Sequence, residues 1–458
     1  MSYLYGLSVQ GIQDFIFKTN QLQEIIGASE IIKGLENEIG AYHPTEILLN
    51  AAGNIKVIFK DKASVESVVK ALPKQIMQKA YGITVSQAVV TMEEKFAEQK
   101  EALEELERKL KIQRNKPTIP LDLSINIMEL APKTARPLVK IEKKGKDEIK
   151  MDMSTMQKCK ANPDNKGQLS DLKNSKGKIA VIHADGNGLG QLIPKLSNIP
   201  VFSQGLDEAT EQAFEEAKTV VQNGKIRKII LGGDDMTVIC DATYALEFTR
   251  VFLDAFEQQT LAKTGHKLTA CAGIAFCNEK YPFHYAVSLA EALCSATKKH
   301  AKDINPNLAP SSLMFHNIQS SNFQSWEKFV KDELTITNDK ETIRCDFGPY
   351  YLSQEGQPQI ANFLNTVEAY RCEGSPISRL REWLGELGKS KTYADNLLKR
   401  INEMASQNRK WDACVMNNNL KQFKQELTNE NLTINKDGHK KTPIYDVLQI
   451  LSVTEAKQ

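Results

Sequence analysis

No two cysteines in the chain have the C-x-x-C spacing, although eight are scattered from Cys159 to Cys414. A zinc ribbon and a dithiol redox motif therefore find no support, and thiols buried in a reducing cytoplasm are expected. No apolar run approaches the ~20 residues that a membrane helix needs. The start, Met1-Ser-Tyr-Leu-Tyr-Gly-Leu, has neither a basic segment nor a long apolar stretch, so a secretory signal is not expected. Charge of one sign is also lacking: 59 Lys and Arg balance 57 Asp and Glu, a net +2. That balance gives no polyanion-binding field across the whole molecule. A cytoplasmic protein with no membrane partner is the expectation. Its 41% hydrophobic and 25% charged residues suit globular domains.

What is present is concentrated in two segments. Lys228-Ile-Ile-Leu-Gly-Gly-Asp-Asp-Met-Thr-Val-Ile-Cys240 reads as two apolar strands around a glycine turn, a β-hairpin with Asp234 and Asp235 at its tip. Paired carboxylates in a cleft repel one another unless a divalent cation compensates them. Upstream, Lys178-Ile-Ala-Val-Ile-His-Ala-Asp-Gly-Asn-Gly-Leu-Gly190 reads as a strand ending in Asp185 and a glycine-rich turn. The interval to Asp234 has room for a helix and its loops, so a βαβ unit can bring Asp185 beside the hairpin tip. Three carboxylates from two strand ends would form a two-metal site suited to nucleotidyl transfer. Backbone N–H groups of the turn after Asp185, at a helix start, suit a triphosphate. The glycines are not spaced as G-x-G-x-x-G, which argues against nicotinamide and flavin sites.

The blander readings are an ordinary solvent-facing turn for Gly232-Gly-Asp-Asp235, a helix N-cap for Asp185 and a packing role for His183. Asn187 reads equally as a base contact or a cap. Lys298, Lys299 and Lys302 read as a solvated helix face or, for Lys298 above all, as a phosphate contact.

The pattern along the chain predicts an α+β protein of two ferredoxin-like (βαββαβ) domains with a helical C-terminal domain. Residues 1–93 give strand, helix, hairpin, helix, strand, with the hairpin over 46–59 and a helix over 64–79 with Ser64 as its cap. Residues 94–177 are expected to be a charged, solvated bridging helix (93–116) and a linker or mobile insertion over 140–176. Residues 178–318 repeat the order of the first domain, with Asn50-Ala-Ala-Gly-Asn54 at the position of the acidic tip, so the first copy is degenerate. Residues 319–458 are expected to be mainly helical, over 353–369, 378–387, 393–407 and 419–428.

Four segments in order resemble the large palm-domain subunit of type III CRISPR effector complexes, the Cas-ten family. Val9-Gln-Gly-Ile-Gln-Asp-Phe-Ile-Phe17 with Leu22-Gln-Glu-Ile-Ile-Gly-Ala-Ser-Glu30 resembles its first palm. Asp185-Gly-Asn-Gly-Leu-Gly190 and Gly232-Gly-Asp-Asp235 resemble its second. Leu289 to Lys302 is similar to its lysine-bearing helix, and Ser312-Leu-Met-Phe-His316 to the strand that follows. The resemblance implies conversion of ATP into cyclic oligoadenylate messengers with Mg²⁺ or Mn²⁺. It implies that Asp185, Asp234 and Asp235 are catalytic metal ligands. Gly186, Asn187, Gly188, Gly190, Gly232, Gly233 and Lys298 form the candidate nucleotide-binding set. ATP or another NTP is the implied substrate; guide-RNA effector subunits, RNA or a second copy are the implied partners. Two departures matter. None of the seven histidines precedes an Asp, and the zinc-binding cysteine cluster of many members is missing. DNA cleavage by a His-Asp nuclease domain is therefore not expected, nor is zinc. The length suggests a reduced, stand-alone enzyme. The alternatives are a catalytically silent palm scaffold or RNA-binding subunit, and diguanylate-type cyclase chemistry, whose hairpin continues Glu-Phe where Met236 follows here.

Overall fold

The computed structural model describes residues 2–51, 53–92, 96–116, 125, 127–144, 147–162, 168–193, 196, 198–319, 325–338, 341–371, 374–407 and 432–455. The chain divides into two compact units, one of residues 1–168 and 196–204, the other of 169–195 and 205–458.

In the first unit β1 (Ser2–Gln10) is followed by α1 (Ile12–Phe17) and α2 (Leu22–Gly34), the hairpin β2 (Glu46–Ala51) and β3 (Asn54–Phe59), α3 (Lys62–Lys79) and β4 (Thr84–Met92). The sheet order is β2-β3-β1-β4 with antiparallel neighbours, the ferredoxin-like order expected for βαββαβ. The cap of α3 is Asp61 and not Ser64: its carboxylate accepts the Ser64 N–H at 2.7 Å and the Ser64 hydroxyl at 2.8 Å.

Two readings of residues 94–177 change. The charged helix, α4 (Phe96–Arg114), is not a solvated bridge. It packs Ala102, Leu106 and Leu110 on Leu4, Ile58, Val90 and Met92 of the sheet. Gly6 makes room for Leu106, since a Cβ there would lie 2.7 Å from it. The stretch read as a linker holds a hairpin, β5 (Lys140–Lys144) and β6 (Asp147–Met151), and α5 (Met153–Ala161). α5 presses on α2 so closely that a Cβ on Gly27 would lie 1.8 Å from the Lys158 carbonyl. Gly27 is therefore a packing contact between the two helices.

The second unit begins with β7 (Lys178–Gly186), the short α6 (Leu189–Leu192), α7 (Ile199–Lys218, of which the part from Gly205 on belongs to this unit), the hairpin β8 (Ile226–Gly232) and β9 (Asp235–Asp241), α8 (Ala245–Thr264) and β10 (Ala270–Asn278). Then α9 (Phe283–Ile304) leads to β11 (Ser312–Asn317), which joins β10 in parallel. The order β10-β7-β9-β8 repeats that of the first sheet, with β11 and a two-residue strand, β14 (Tyr350–Tyr351), added beyond β10. β7 and β10 are buried almost throughout, and α9 lies so close to β10 that a Cβ on Gly273 would meet the Ala290 carbonyl at 1.9 Å.

The C-terminal part is less purely helical than expected. Besides α10 (Trp326–Glu333), α11 (Ile360–Tyr370), α12 (Ile377–Leu387), α13 (Lys391–Gln407) and α14 (Ile444–Val453), it holds a four-stranded sheet. That sheet has β12 (Thr335–Thr337) and β13 (Thr342–Arg344) beside β16 (His439–Lys441) and β15 (Ile434–Lys436). The helix expected over 419–428 lies outside the described residues, as do Cys372 and Cys414. The other cysteines carry free thiols, and Cys240, Cys271, Cys277, Cys294 and Cys345 are buried. No described helix is long and apolar enough to cross a membrane.

Candidate metal centre

β7 and β9 are antiparallel neighbours, and their register sets Asp185 directly opposite Asp235. β8 and β9 pair as far as Gly232 and Asp235, so Gly233 and Asp234 alone make the turn. Gly233 has φ +59°, which glycine adopts without the strain of a Cβ. A register shift between Lys228 and Ile230 puts a bulge in β8 just before the tip. Asp185, Asp234 and Asp235 each bring one carboxylate oxygen into a cluster in which these atoms lie within 4.8 Å of one another. Sequence spacing anticipated this convergence.

Gly186 is pinned between the strands. Its N–H donates to the Asp234 carbonyl at 3.2 Å, and a Cβ on it would sit 2.6 Å from the Asp234 Cβ. Any other residue there would push the hairpin tip away.

Burial raises the pKa of Asp235 to about 7, and the charges of Asp234 and Asp185 add to the shift. Burial raises that of Asp234 to about 6, with the Asp185 charge adding again. Lys298 on α9 reaches Asp185 as an ion pair, and its charge offsets part of the rise on both neighbours. Three half-buried carboxylates facing one ammonium leave negative charge in excess, and hard oxygen donors of this kind fit Mg²⁺ or Mn²⁺. The triad can hold a metal ion.

A cleft of about 420 Å³ opens beside the triad, lined by Asp185, residues 186–191, Asp234, Lys298, Lys302 and residues 306–309. Gly186, Asn187, Gly188 and Gly190 of the expected nucleotide-binding set line it with Lys298, whereas Gly232 and Gly233 do not. Asp185 is not a helix cap: α6 begins after Gly188. At four residues α6 is too short to carry much of a helix dipole, so the turn offers glycine backbone more than a helix N-terminus.

Asn187 is neither a cap nor a free base reader. It is buried, and its amide N–H₂ donates to Thr269 Oγ1 at 3.1 Å and to the Ala309 carbonyl at 3.3 Å. It ties the loop after α9 to the start of β10. His183 is a packing residue whose Nδ1 lies 3.0 Å from Thr237 Oγ1, and burial lowers its pKa. Lys302 and the 306–309 loop complete the cleft. Helical spacing from Lys298 pointed to the first; nothing in the sequence pointed to the second.

The first sheet has the same topology with other residues at its tip. Ser8 opposes Asn54, and Asn54 opposes Ala51 across the hairpin. By register Ser8, Gly53 and Asn54 stand where Asp185, Asp234 and Asp235 stand in the second. The Ser8 hydroxyl donates to Asn54 Oδ1 at 3.0 Å, so the pair is neutral and self-satisfied.

Fold and site together define a palm-type domain with an acidic hairpin tip. Residues 178–305 match the family model of the Cas10/Cmr2 second palm domain. Among solved structures, a Csm1–Csm4 cassette in complex with cA4 aligns at 14% identity and TM-score 0.53, over 98% of this chain and 70% of that one. The cassette in complex with AMPPNP aligns at 15% identity and TM-score 0.53, over 99% and 70%. Csm1 of T. onnurineus aligns at 13% identity and TM-score 0.50, over 99% and 70%. At such identities the likeness is one of fold. No curated protein sequence matches the chain. Residues 178–305 thus match a Cas10/Cmr2 second palm domain, and the fold of the chain is similar to that of Csm1.

Proposed function

We propose that this chain is a metal-dependent nucleotidyltransferase that joins ATP into cyclic oligonucleotide messengers. The observation that carries the reading is the convergence of Asp185, Asp234 and Asp235 at one end of a cleft whose wall presents Lys298, Lys302 and the glycine loop. Asp185, Asp234 and Asp235 would hold Mg²⁺ or Mn²⁺. Bound there, the metal would lower the pKa of an attacking ribose hydroxyl and neutralise the leaving pyrophosphate. Lys298 would exchange its Asp185 partner for a phosphate oxygen, and Lys302, one helical turn on, would take another. The turn 186–190 would lie along the phosphates, its small residues admitting them to the backbone N–H groups. The excess carboxylate charge would repel a bare triphosphate, so the cation held by Asp185, Asp234 and Asp235 would supply the screening that the phosphates need.

Support from relatives is of the same kind. The related Csm1–Csm4 cassettes were solved with AMPPNP and with cA4, an analogue of the substrate and a product of the proposed reaction. The proposal is tested by melting the protein with ATP, with Mn²⁺ and with both. Both together should raise the melting temperature well above either alone, and Asp185→Asn should remove the increment. A wild-type chain indifferent to the combination contradicts the proposal.

A further inference from the structure

A hairpin tip of two residues ordinarily leaves its turn amide and carbonyl to solvent. At the tip between β8 and β9 both groups of Gly233 are instead taken by side chains from one helix. The Gly233 N–H donates to Asp207 Oδ1 at 2.5 Å. The Gly233 carbonyl accepts from Thr210 Oγ1 at 2.6 Å. Asp207 and Thr210 lie three residues apart on α7, hence on one helix face. Thr210 is fully buried, and its hydroxyl also lies 2.9 Å from the Leu206 carbonyl one turn back. That second contact is the usual fate of a helical threonine hydroxyl. The shorter one, to Gly233, is not.

The carbonyl that Thr210 holds belongs to the peptide joining Gly233 to Asp234. Fixing that peptide plane fixes the direction in which the Asp234 side chain leaves the chain. On the other side of Asp234, its own carbonyl accepts the Gly186 N–H at 3.2 Å. The residue most directly at the tip is thus held from both sides, by α7 through one peptide and by β7 through the next.

We propose that Asp207 and Thr210 are positioning residues: a clamp from α7 that presets the hairpin tip so that Asp234 meets Asp185 and Asp235 before any metal arrives. The inference rests on the reading of the triad as metal ligands and adds two residues to it that no motif contains. Groups that orient ligands without touching the metal commonly change affinity by 10–100-fold when removed. An unclamped Gly233, free at φ +59° to turn over, would let Asp234 swing out of the cluster.

The test compares wild type with Thr210→Val, Thr210→Ser, Asp207→Ala and Asp207→Asn by Mn²⁺ titration calorimetry. Melting curves and hydrogen exchange at the Gly233 amide are recorded on the same metal-free samples. Thr210→Val keeps the shape and removes the hydroxyl; its metal affinity should fall by roughly ten-fold or more. Thr210→Ser should restore it, since the hydroxyl returns without the methyl. Asp207→Ala should expose the Gly233 amide to exchange and weaken the metal, whereas Asp207→Asn keeps an acceptor and should retain most of both. Wild-type affinity in Thr210→Val and Asp207→Ala, with the amide deprotected, would overturn the clamp while leaving the triad standing. A wild type that takes no Mn²⁺ at all overturns the reading of the triad and the positioning role with it. Asp207 is only half-buried, so the Asp207 pair stays informative if Thr210→Val fails to fold.

Discussion

The carboxyl of Asp235, held near pKa 7, sets the pH behaviour of the site. A carboxyl raised in the folded state binds a proton that the unfolded chain has already released. Between the ordinary carboxylate range and about 7, the folded state therefore carries more protons, and stability falls as pH rises. Asp234, raised to about 6, acts in the same direction. The metal-free protein should lose stability from pH 4 to pH 7, as read from urea midpoints, and Asp235→Asn should flatten that slope. Near pH 7 the same variant should be more stable than wild type without metal by on the order of 1 kcal/mol, allowing for solvent screening. It should also be inactive. Metal binding must displace the shared protons, so Mn²⁺ affinity should climb steeply across pH 6 to 7. A pH-independent affinity over that range would mean that the triad does not ligate the metal.

At the scale of the element, two glycines decide whether the strands and α9 can come together. Gly273 lets α9 approach β10, and Gly273→Ala would drive a Cβ into the Ala290 carbonyl at 1.9 Å. Backbone on both sides leaves little to yield, so a loss of roughly 1–3 kcal/mol or more is expected in urea unfolding. Because Lys298 rides on α9, nucleotide affinity should fall with it. Gly186→Ala should act more locally, with near-normal melting but weakened Mn²⁺ binding, since the strained neighbour is the Asp234 side chain.

Elements were legible where pattern and chemistry coincided. The Gly232 to Asp235 hairpin announced itself through its turn residues and flanking apolar runs, and Asp185 through a strand that ends in glycines. α4 was misread because Leu103, Leu106 and Leu110 sit among so many charges that the narrow apolar stripe looked too weak to bury. The β12, β13, β15 and β16 strands are three residues each, too short for a period of two to register. Asp207 and Thr210 carried no signal at all. An Asp and a Thr on an amphipathic helix look like any solvated pair until the fold brings Gly233 beneath them.

Over the whole molecule, one topology is used twice, and the charge of its tip differs. The order of the four repeated strands is the same in both sheets, yet Ser8, Gly53 and Asn54 replace the three aspartates. Among the described residues, Asp185, Asp234 and Asp235 are the one cluster of His, Cys, Asp or Glu side chains placed to hold a metal. The chain should therefore lose high-affinity Mn²⁺ binding entirely when Asp185, Asp234 and Asp235 are all changed to Asn, with no second class of sites left in the isotherm. Changing Ser8 or Asn54 to Ala should leave that isotherm unaltered. The aspartates concentrate in the copy whose strands are most deeply buried, where a preset charge cluster is best shielded from solvent.

Whether Asp185, Asp234 and Asp235 do chemistry is read directly by product analysis. Purified protein is incubated with each NTP and Mg²⁺ or Mn²⁺, beside an Asp234→Ala/Asp235→Ala double variant, and the products are resolved by mass spectrometry. A cyclic product formed from ATP by the wild type and absent with the variant is the predicted result. The same product in equal yield from both proteins would contradict it.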